Sequence, residues 1–216
     1  ELARITASLR PERPVNIQYT SGTTGDPKGA TLSHRNILYN AYYVGARMRF
    51  SEDDRLNIPV PFYHCFGCVM GTMMCVVHGA AMVIPAESFD PDLTLAAVAQ
   101  EQCTGLYGVP TMFNAEINSP NFDRYDLSSL RTGIMAGSPC PIELMRQVTM
   151  RMHLSEMTIA YGLTEASPVI TQTETTEPLE IRVTTVGKPL PGLEVELVDP
   201  DTGNEVPDGT PGELWC

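Results

Sequence analysis

Apolar positions along this chain fall into short extended runs and longer stretches of helical spacing, and the two kinds take turns for most of its length. Val15 to Tyr19 is the first extended run. Ser33 then stands where a helix N-cap would, and Ile37, Leu38, Ala41, Tyr42, Val44 and Met48 recur at helical spacing up to about Phe50. Leu56 to Val60 predicts a strand that ends near Pro61, because proline lacks the amide a ladder needs. Ala80 to Ile84 predicts a buried strand, and Asp90-Pro91 opens a helix through Leu93, Leu95, Val98 and Ala99. Thr104 to Val109 and Thr132 to Ala136 read as strands, Pro110 to Ile117 and Pro141 to Met152 as helices, and Met157 to Tyr161 as extended. Alternation of this kind predicts an α/β fold, a largely parallel sheet flanked by helices.

The pattern changes after Pro168. From Val183 onward short alternating strands, of which Leu193 to Val198 is the clearest, are separated by turns at Pro191-Gly192, Asp201 to Gly203 and Asp208-Gly209. The expectation is an α/β core over 1–168 followed by a small β subdomain over 169–216. At the other end, Glu1 to Pro14 is polar and reads as a lead-in.

No Asp, Glu, Lys or Arg occurs between Arg55 and Glu87, which raises the question of a membrane span. Pro59, Pro61, Tyr63 and His64 open the stretch and His78-Gly79 interrupts it, so a buried helix followed by a strand is the expectation instead. Cys65, Cys68, Cys75 and His78 have a spacing that would pass for a metal site. They lie among Val69, Met70, Met73, Met74, Val76 and Val77, where one helical face holds them as small buried hydrophobes, and a metal-free reading is preferred.

Composition narrows the partners. A net charge of −12 over 216 residues argues against a broad nucleic-acid or anionic-membrane surface. Six cysteines without framework spacing point to a reducing compartment and a cytoplasmic location. The chain starts at Glu1 and stops at Cys216 within a strand-like pattern, as an excised fragment would.

Against that acidic background one stretch stands out, Thr20 to Gly29. Gly22, Gly25 and Gly29 permit backbone angles that a Cβ would forbid, so successive amides can converge on an anion. Thr20, Ser21, Thr23 and Thr24 add hydroxyl donors, and Lys28, which with Lys188 makes up the chain's two lysines, adds a cationic charge. The stretch is neither a common P-loop, since Pro27 and Gly29 break that pattern, nor a dinucleotide fingerprint. A plain surface turn is the alternative reading. Three further features sit where strands end: Pro61 to Gly67, Gly137-Ser138-Pro139, and Tyr161-Gly162-Leu163-Thr164-Glu165. In open α/β sheets ligands bind outside the carboxyl ends of strands. Tyr161 offers a flat face to a base, Thr164 a hydroxyl to a phosphate and Glu165 a carboxylate to Mg²⁺, or Glu165 is simply solvated after a turn. His64 and His153 have no visible nucleophile partner, and His153 is expected on a helix surface.

Ser21 to Gly29 closely resembles the signature loop of the adenylate-forming enzymes, the superfamily of acyl-CoA synthetases, peptide-synthetase adenylation domains and luciferases. Tyr161 to Glu165 resembles that superfamily's second core motif. There, the resemblance implies, Tyr161 stacks on adenine, Thr164 binds the adenylate phosphate and Glu165 binds magnesium. Gly137-Ser138-Pro139 is similar to the loop lining the adenine and acyl pockets, and Tyr63 to Gly67 to the region whose histidine, His64 here, borders the acyl site. Val186 to Gly192 and Pro211 to Leu214 match later segments. Tyr107 to Phe113 with Ala136 to Pro139 are most similar to medium-chain fatty acyl-CoA synthetases. The chain is thus expected to be part of an acyl-CoA synthetase-like large domain that uses ATP, Mg²⁺, coenzyme A and a medium-chain fatty acid. The same resemblance places a ribose-binding aspartate, the hinge and a catalytic lysine outside these residues, so that the 216 residues alone would make no acyl-CoA. An adenylation domain loading a carrier protein, or a non-catalytic nucleotide-binding module, shares these motifs.

Overall fold

The computed structural model describes residues 1–20 and 26–216. In chain order the elements are α1 (Leu2–Ser8), β1 (Pro14–Thr20), β2 (Lys28–Ser33), α2 (His34–Arg47), β3 (Arg55–Asn57), α3 (Met74–His78), β4 (Ala81–Val83), α4 (Pro91–Glu101) and β5 (Gly105–Gly108). They continue with α5 (Pro110–Ile117), β6 (Thr132–Ala136), α6 (Ile142–Arg151), β7 (Glu156–Gly162), β8 (Val169–Gln172), α7 (Leu179–Thr184), β9 (Lys188–Pro189), β10 (Glu196–Val198) and β11 (Glu213–Trp215). A π-helix, Phe66–Met73, runs directly into α3.

Seven strands form one sheet in the order β4-β3-β5-β6-β7-β8-β9. The first five are parallel, and β8 and β9 join antiparallel. Both faces of this sheet are covered, which is why its strands read as nearly unbroken apolar runs. Tyr107, Ile134 and Ala160 point into a core shared with α2 (Ile37, Ala41, Val44) and the π-helix (Val69, Met70). Their strand neighbours Leu106, Met135 and Ile159 point to the other side, against α4 (Leu95, Val98), α5 (Phe113) and α6 (Met145, Val148). The alternation of strand side chains thus builds two cores from one sheet.

Several elements depart from the sequence pattern. Residues 2–8, within the stretch read as a polar lead-in, form a helix that buries none of its own residues. The glycine-rich stretch does not run straight into α2. Lys28–Ser33 first pairs antiparallel with β1, Thr20 opposite Lys28, and Ser33 then caps α2 in a capping box with Asn36. The stretch therefore connects a hairpin outside the seven-stranded sheet, not the carboxyl end of one of that sheet's strands. The strand expected to be buried at 80–84 is an edge strand, with Met82 44% exposed. His153 lies past the end of α6 at a positive φ of 60°, not on the helix. The sheet also does not stop at Pro168: all four residues of β8 are buried and pair with β7, and α7 packs on α6. Of the described strands after Pro168, β10 and β11 stand apart from it as a separate two-stranded sheet. Among the described residues no helix is long and apolar enough to cross a membrane.

Candidate active site

Beyond the carboxyl ends of β6 and β7 lies a cavity of about 1220 Å³. Two turns form its floor. After β6 the chain enters Gly137 at φ 89°, a left-handed conformation that glycine adopts without a Cβ clash, and Ser138 and Pro139 follow exposed on the cavity wall. After β7 a tight reversal carries Leu163, Thr164 and Glu165 around to Pro168. The Leu163 amide closes it by donating to the Pro168 carbonyl at 2.9 Å. A Cβ on Gly162 would sit 1.9 Å from that same carbonyl oxygen, so the reversal requires glycine there.

A buried side chain from another layer fixes this reversal. Asn40 of α2 donates to the Val169 carbonyl at 2.8 Å and accepts from the Val169 amide at 3.2 Å, acting as a strand partner where the turn has none. Arg47, two turns later on α2, donates to the Lys188 and Pro189 carbonyls at 3.2 and 2.8 Å and ties down β9 beside it. Neither residue stands out in the sequence, because each is a lone polar position in an amphipathic helix.

The hairpin and the π-helix supply the other walls. Thr20 and Lys28, cross-strand partners at the loop end of the hairpin, both line the cavity, and β2 packs against the 164–166 turn. Ser21, Gly22, Thr23, Thr24 and Gly25 lie outside the described residues. His64 stands just before the π-helix, its carbonyl accepting from the Gly67 and Cys68 amides, and its ring borders the cavity with Cys65, Phe66 and Met70. A π-helical turn inside a helical run is a frequent mark of functional sites. Residues 183–187 form the remaining side.

The structure therefore brings Thr20, Lys28, His64, Gly137, Ser138, Pro139, Tyr161, Gly162, Thr164 and Glu165 onto one cavity, from segments separated by up to 145 positions. Tyr161 is 39% exposed, its ring accessible at the rim. Among the described residues Lys28 and Glu165 enter no ion pair, which leaves a cation and a carboxylate open to the same space. Glu165 is an exposed hard-oxygen donor, and Mg²⁺ bound through one or two carboxylates plus phosphate oxygens fits such a position. Sequence reasoning took Cys65 only as a small buried hydrophobe; it is 3% exposed, and its sulfur also reaches both His64 and Thr164. Cys68 and Cys75 lie farther along the same helical run, where burial raises both thiols, Cys75 to about 12. His78 donates to the Tyr42 carbonyl at 2.9 Å and stacks on its ring.

A cavity at the carboxyl edge of an α/β sheet, lined by an accessible aromatic ring, hydroxyls and a carboxylate and by a cation from the neighbouring hairpin, has the equipment to hold a nucleotide and act on its phosphates. The family assignment agrees: residues 2–216 match the family model for AMP-binding enzymes, and the chain belongs to that family. YngI of Bacillus subtilis (strain 168), a provisionally named acyl-CoA synthetase, is 55% identical over 214 residues, 99% of this chain and 39% of that protein. The mitochondrial medium-chain acyl-CoA ligase ACSF2 of Danio rerio is 46% identical, covering 93% of this chain and 34% of its own length. Among solved structures, the anthranilate CoA ligase AuaEII in complex with anthranoyl-AMP superposes with a TM-score of 0.86 at 26% identity, over 95% of this chain and 39% of that one. ATP-bound MatB from Rhodopseudomonas palustris superposes with 0.82 at 30% identity, over 95% and 40%. The chain thus spans two-fifths or less of these relatives' lengths.

Proposed function

We propose that the complete protein containing these residues activates a medium-chain fatty acid with ATP and passes it to coenzyme A. The carboxylate attacks the α-phosphorus of ATP, forming the acyl-adenylate and releasing pyrophosphate; the coenzyme A thiol then attacks the acyl carbonyl and releases AMP. Both steps put negative charge on oxygen, and preorganised donors aimed at those oxygens carry most of the catalysis in such reactions. In this reading Lys28 and the hydroxyls of Thr20 and of residues 21–25 hold the phosphates, and Thr164 donates to the α-phosphate. Tyr161 stacks on adenine beside Gly137, Ser138 and Pro139, and His64 borders the carboxylate. Glu165 would hold Mg²⁺, which when bound neutralises phosphate charge. Phe66 and Met70, apolar and on the cavity wall, suit an acyl chain.

The observation that carries this proposal is the convergence of Lys28, Thr164 and Glu165 on one cavity with an apolar wall. Coenzyme A is preferred over a carrier protein because the relatives reported above are named acyl-CoA synthetases or ligases and CoA ligases. We place the reaction in a reducing compartment, the cytoplasm, from the six free cysteines. The experiment is pyrophosphate release by the complete protein against a panel of carboxylic acids, followed by thioester formation with coenzyme A. Release that is strongest with medium-chain fatty acids supports the proposal. No release with any acid, or thioester formed only on a carrier protein, overturns it.

A further inference from the structure

Three side chains at the junction of the π-helix and the 162–168 reversal make a chain of contacts whose proton directions follow from the geometry. The Phe66 amide donates to His64 Nδ1 at 3.1 Å. A ring nitrogen has one in-plane lone pair, so Nδ1 is the acceptor and the neutral ring carries its proton on Nε2. Cys65 Sγ lies 3.6 Å from the same Nδ1 and 3.7 Å from Thr164 Oγ1. Burial raises the Cys65 thiol, which keeps its proton, and at 3% exposure that proton is shielded from solvent. With the Nδ1 lone pair already taken, Thr164 Oγ1 is the remaining acceptor among these contacts for the thiol proton. Sulfur is a weak acceptor, and a hydroxyl that accepts from S–H retains its own proton for another partner.

We propose that Cys65 is a positioning residue for Thr164: its thiol occupies a lone pair of Oγ1 and turns the Thr164 hydroxyl proton toward an anionic ligand in the cavity. His64, by the same set of contacts, presents Nε2–H to the cavity as a neutral donor. Two neutral donors are thereby aligned before any ligand arrives, and a prealigned donor avoids reorganisation when charge develops. The inference rests on the phosphate-binding role assigned to Thr164 above.

The test is steady-state pyrophosphate release by the complete enzyme and its Cys65→Ala, Cys65→Val, Cys65→Ser, Thr164→Val and Cys65→Ala/Thr164→Val variants. Cys65→Val drops the donor and departs in volume on the side opposite to alanine, so that a packing defect in one variant does not pass for loss of the hydrogen bond. Losing one neutral hydrogen bond predicts a kcat about three- to tenfold lower for both Ala and Val. Because the donor acts on transition-state charge, the KM for the acid should stay within about twofold. Cys65→Ser, which restores a donor, should recover most of the rate. In the Thr164→Val background Cys65→Ala should cost nothing further, since the effect has no hydroxyl to act through. Parental activity in Cys65→Ala and Cys65→Val, a serine variant no better than alanine, or an undiminished Cys65 effect on top of Thr164→Val would each overturn the proposal. A parent enzyme that releases no pyrophosphate with any acid would instead overturn the function proposed for the site.

Discussion

The two ends of the parallel strands carry polar clusters of opposite character. At the amino ends of β3, β5, β6 and β7, Arg131 donates to both oxygens of Asp54 (2.9 and 2.8 Å), to Glu156 at 2.9 Å and to the Met48 and Arg49 carbonyls at 3.0 Å each. Thr104 and the Ser51 amide complete the shell of Asp54, and Arg49 pairs with Glu156. Burial by itself would raise the Asp54 carboxyl, but the hydrogen bonds from Thr104, Arg131 and Ser51 outweigh it and hold the group below the usual carboxylate range. At the carboxyl ends, Lys28, Thr164 and Glu165 face a cavity, with the two charges unpaired among the described residues. The same residue types thus serve as internal mortar at one end and as open valences at the other. What separates them is satisfaction: a saturated cluster stabilises the fold, and an unsaturated one is available to a ligand.

Replacing one charge at each end separates the two roles. Lys28→Ala in the complete enzyme should lower adenylation by about 10²-fold or more, the usual consequence of removing one preorganised charge-stabilising donor, and leave thermal unfolding nearly unchanged. Pyrophosphate release at the parental rate would remove Lys28 from the phosphate site and erase the contrast. Arg131→Met should do the reverse, lowering the unfolding free energy by about 2 kcal/mol as the charged hydrogen bonds to Asp54 are lost. Because the folded pKa of Asp54 is depressed, its contribution is present at neutral pH and lost as pH falls through that lowered value. Denaturant titration of parent and variant should therefore converge in acid. A difference that grows on acidification would contradict the assigned sign.

Glu165→Gln sharpens the carboxyl end. The amide keeps the shape but loses the charge, so half-saturation by Mg²⁺ in pyrophosphate release should rise about tenfold. A variant that titrates with Mg²⁺ like its parent shows that Glu165 is not a ligand.

Glu116 of α5 belongs to neither edge. It is 1% exposed, and neither carboxyl oxygen has a hydrogen-bond partner among the described residues. Burial pushes this carboxyl well above its ordinary value. A raised folded pKa means stability present in acid and lost as pH rises from the unfolded value toward the folded one. Glu116→Met, which removes the unpaired oxygens at similar volume, should stabilise the protein by about 1 kcal/mol at neutral pH. The gain should shrink toward pH 4. Melting temperatures of parent and variant across that range check it, and a gain independent of pH would show that ionisation of Glu116 plays no part.

Local chemistry made much of the molecule legible. Thr132–Ala136 and Pro110–Ile117 form where their apolar runs and the helix-opening proline predict, because periodicity and capping act within a few residues. The residues 161–165, 137–139, 64 and 28 could be named as candidates from residue type and from resemblance. Tertiary structure decided what pairing across distance controls. Lys28–Ser33 has weak intrinsic strand character and becomes a strand by pairing with β1, while Val169–Gln172 enters the sheet because β7 reverses and Asn40 reaches across from α2. The contact of Cys65 with Thr164 joins positions 99 apart. A sequence specifies such a contact only through the packing of every layer between them, so the donors and their partners could be listed by type but their directions could not. Periodicity set which residues are buried and which turns carry polar groups. Only the closing of two cores about one sheet determined that those turns face a common cavity.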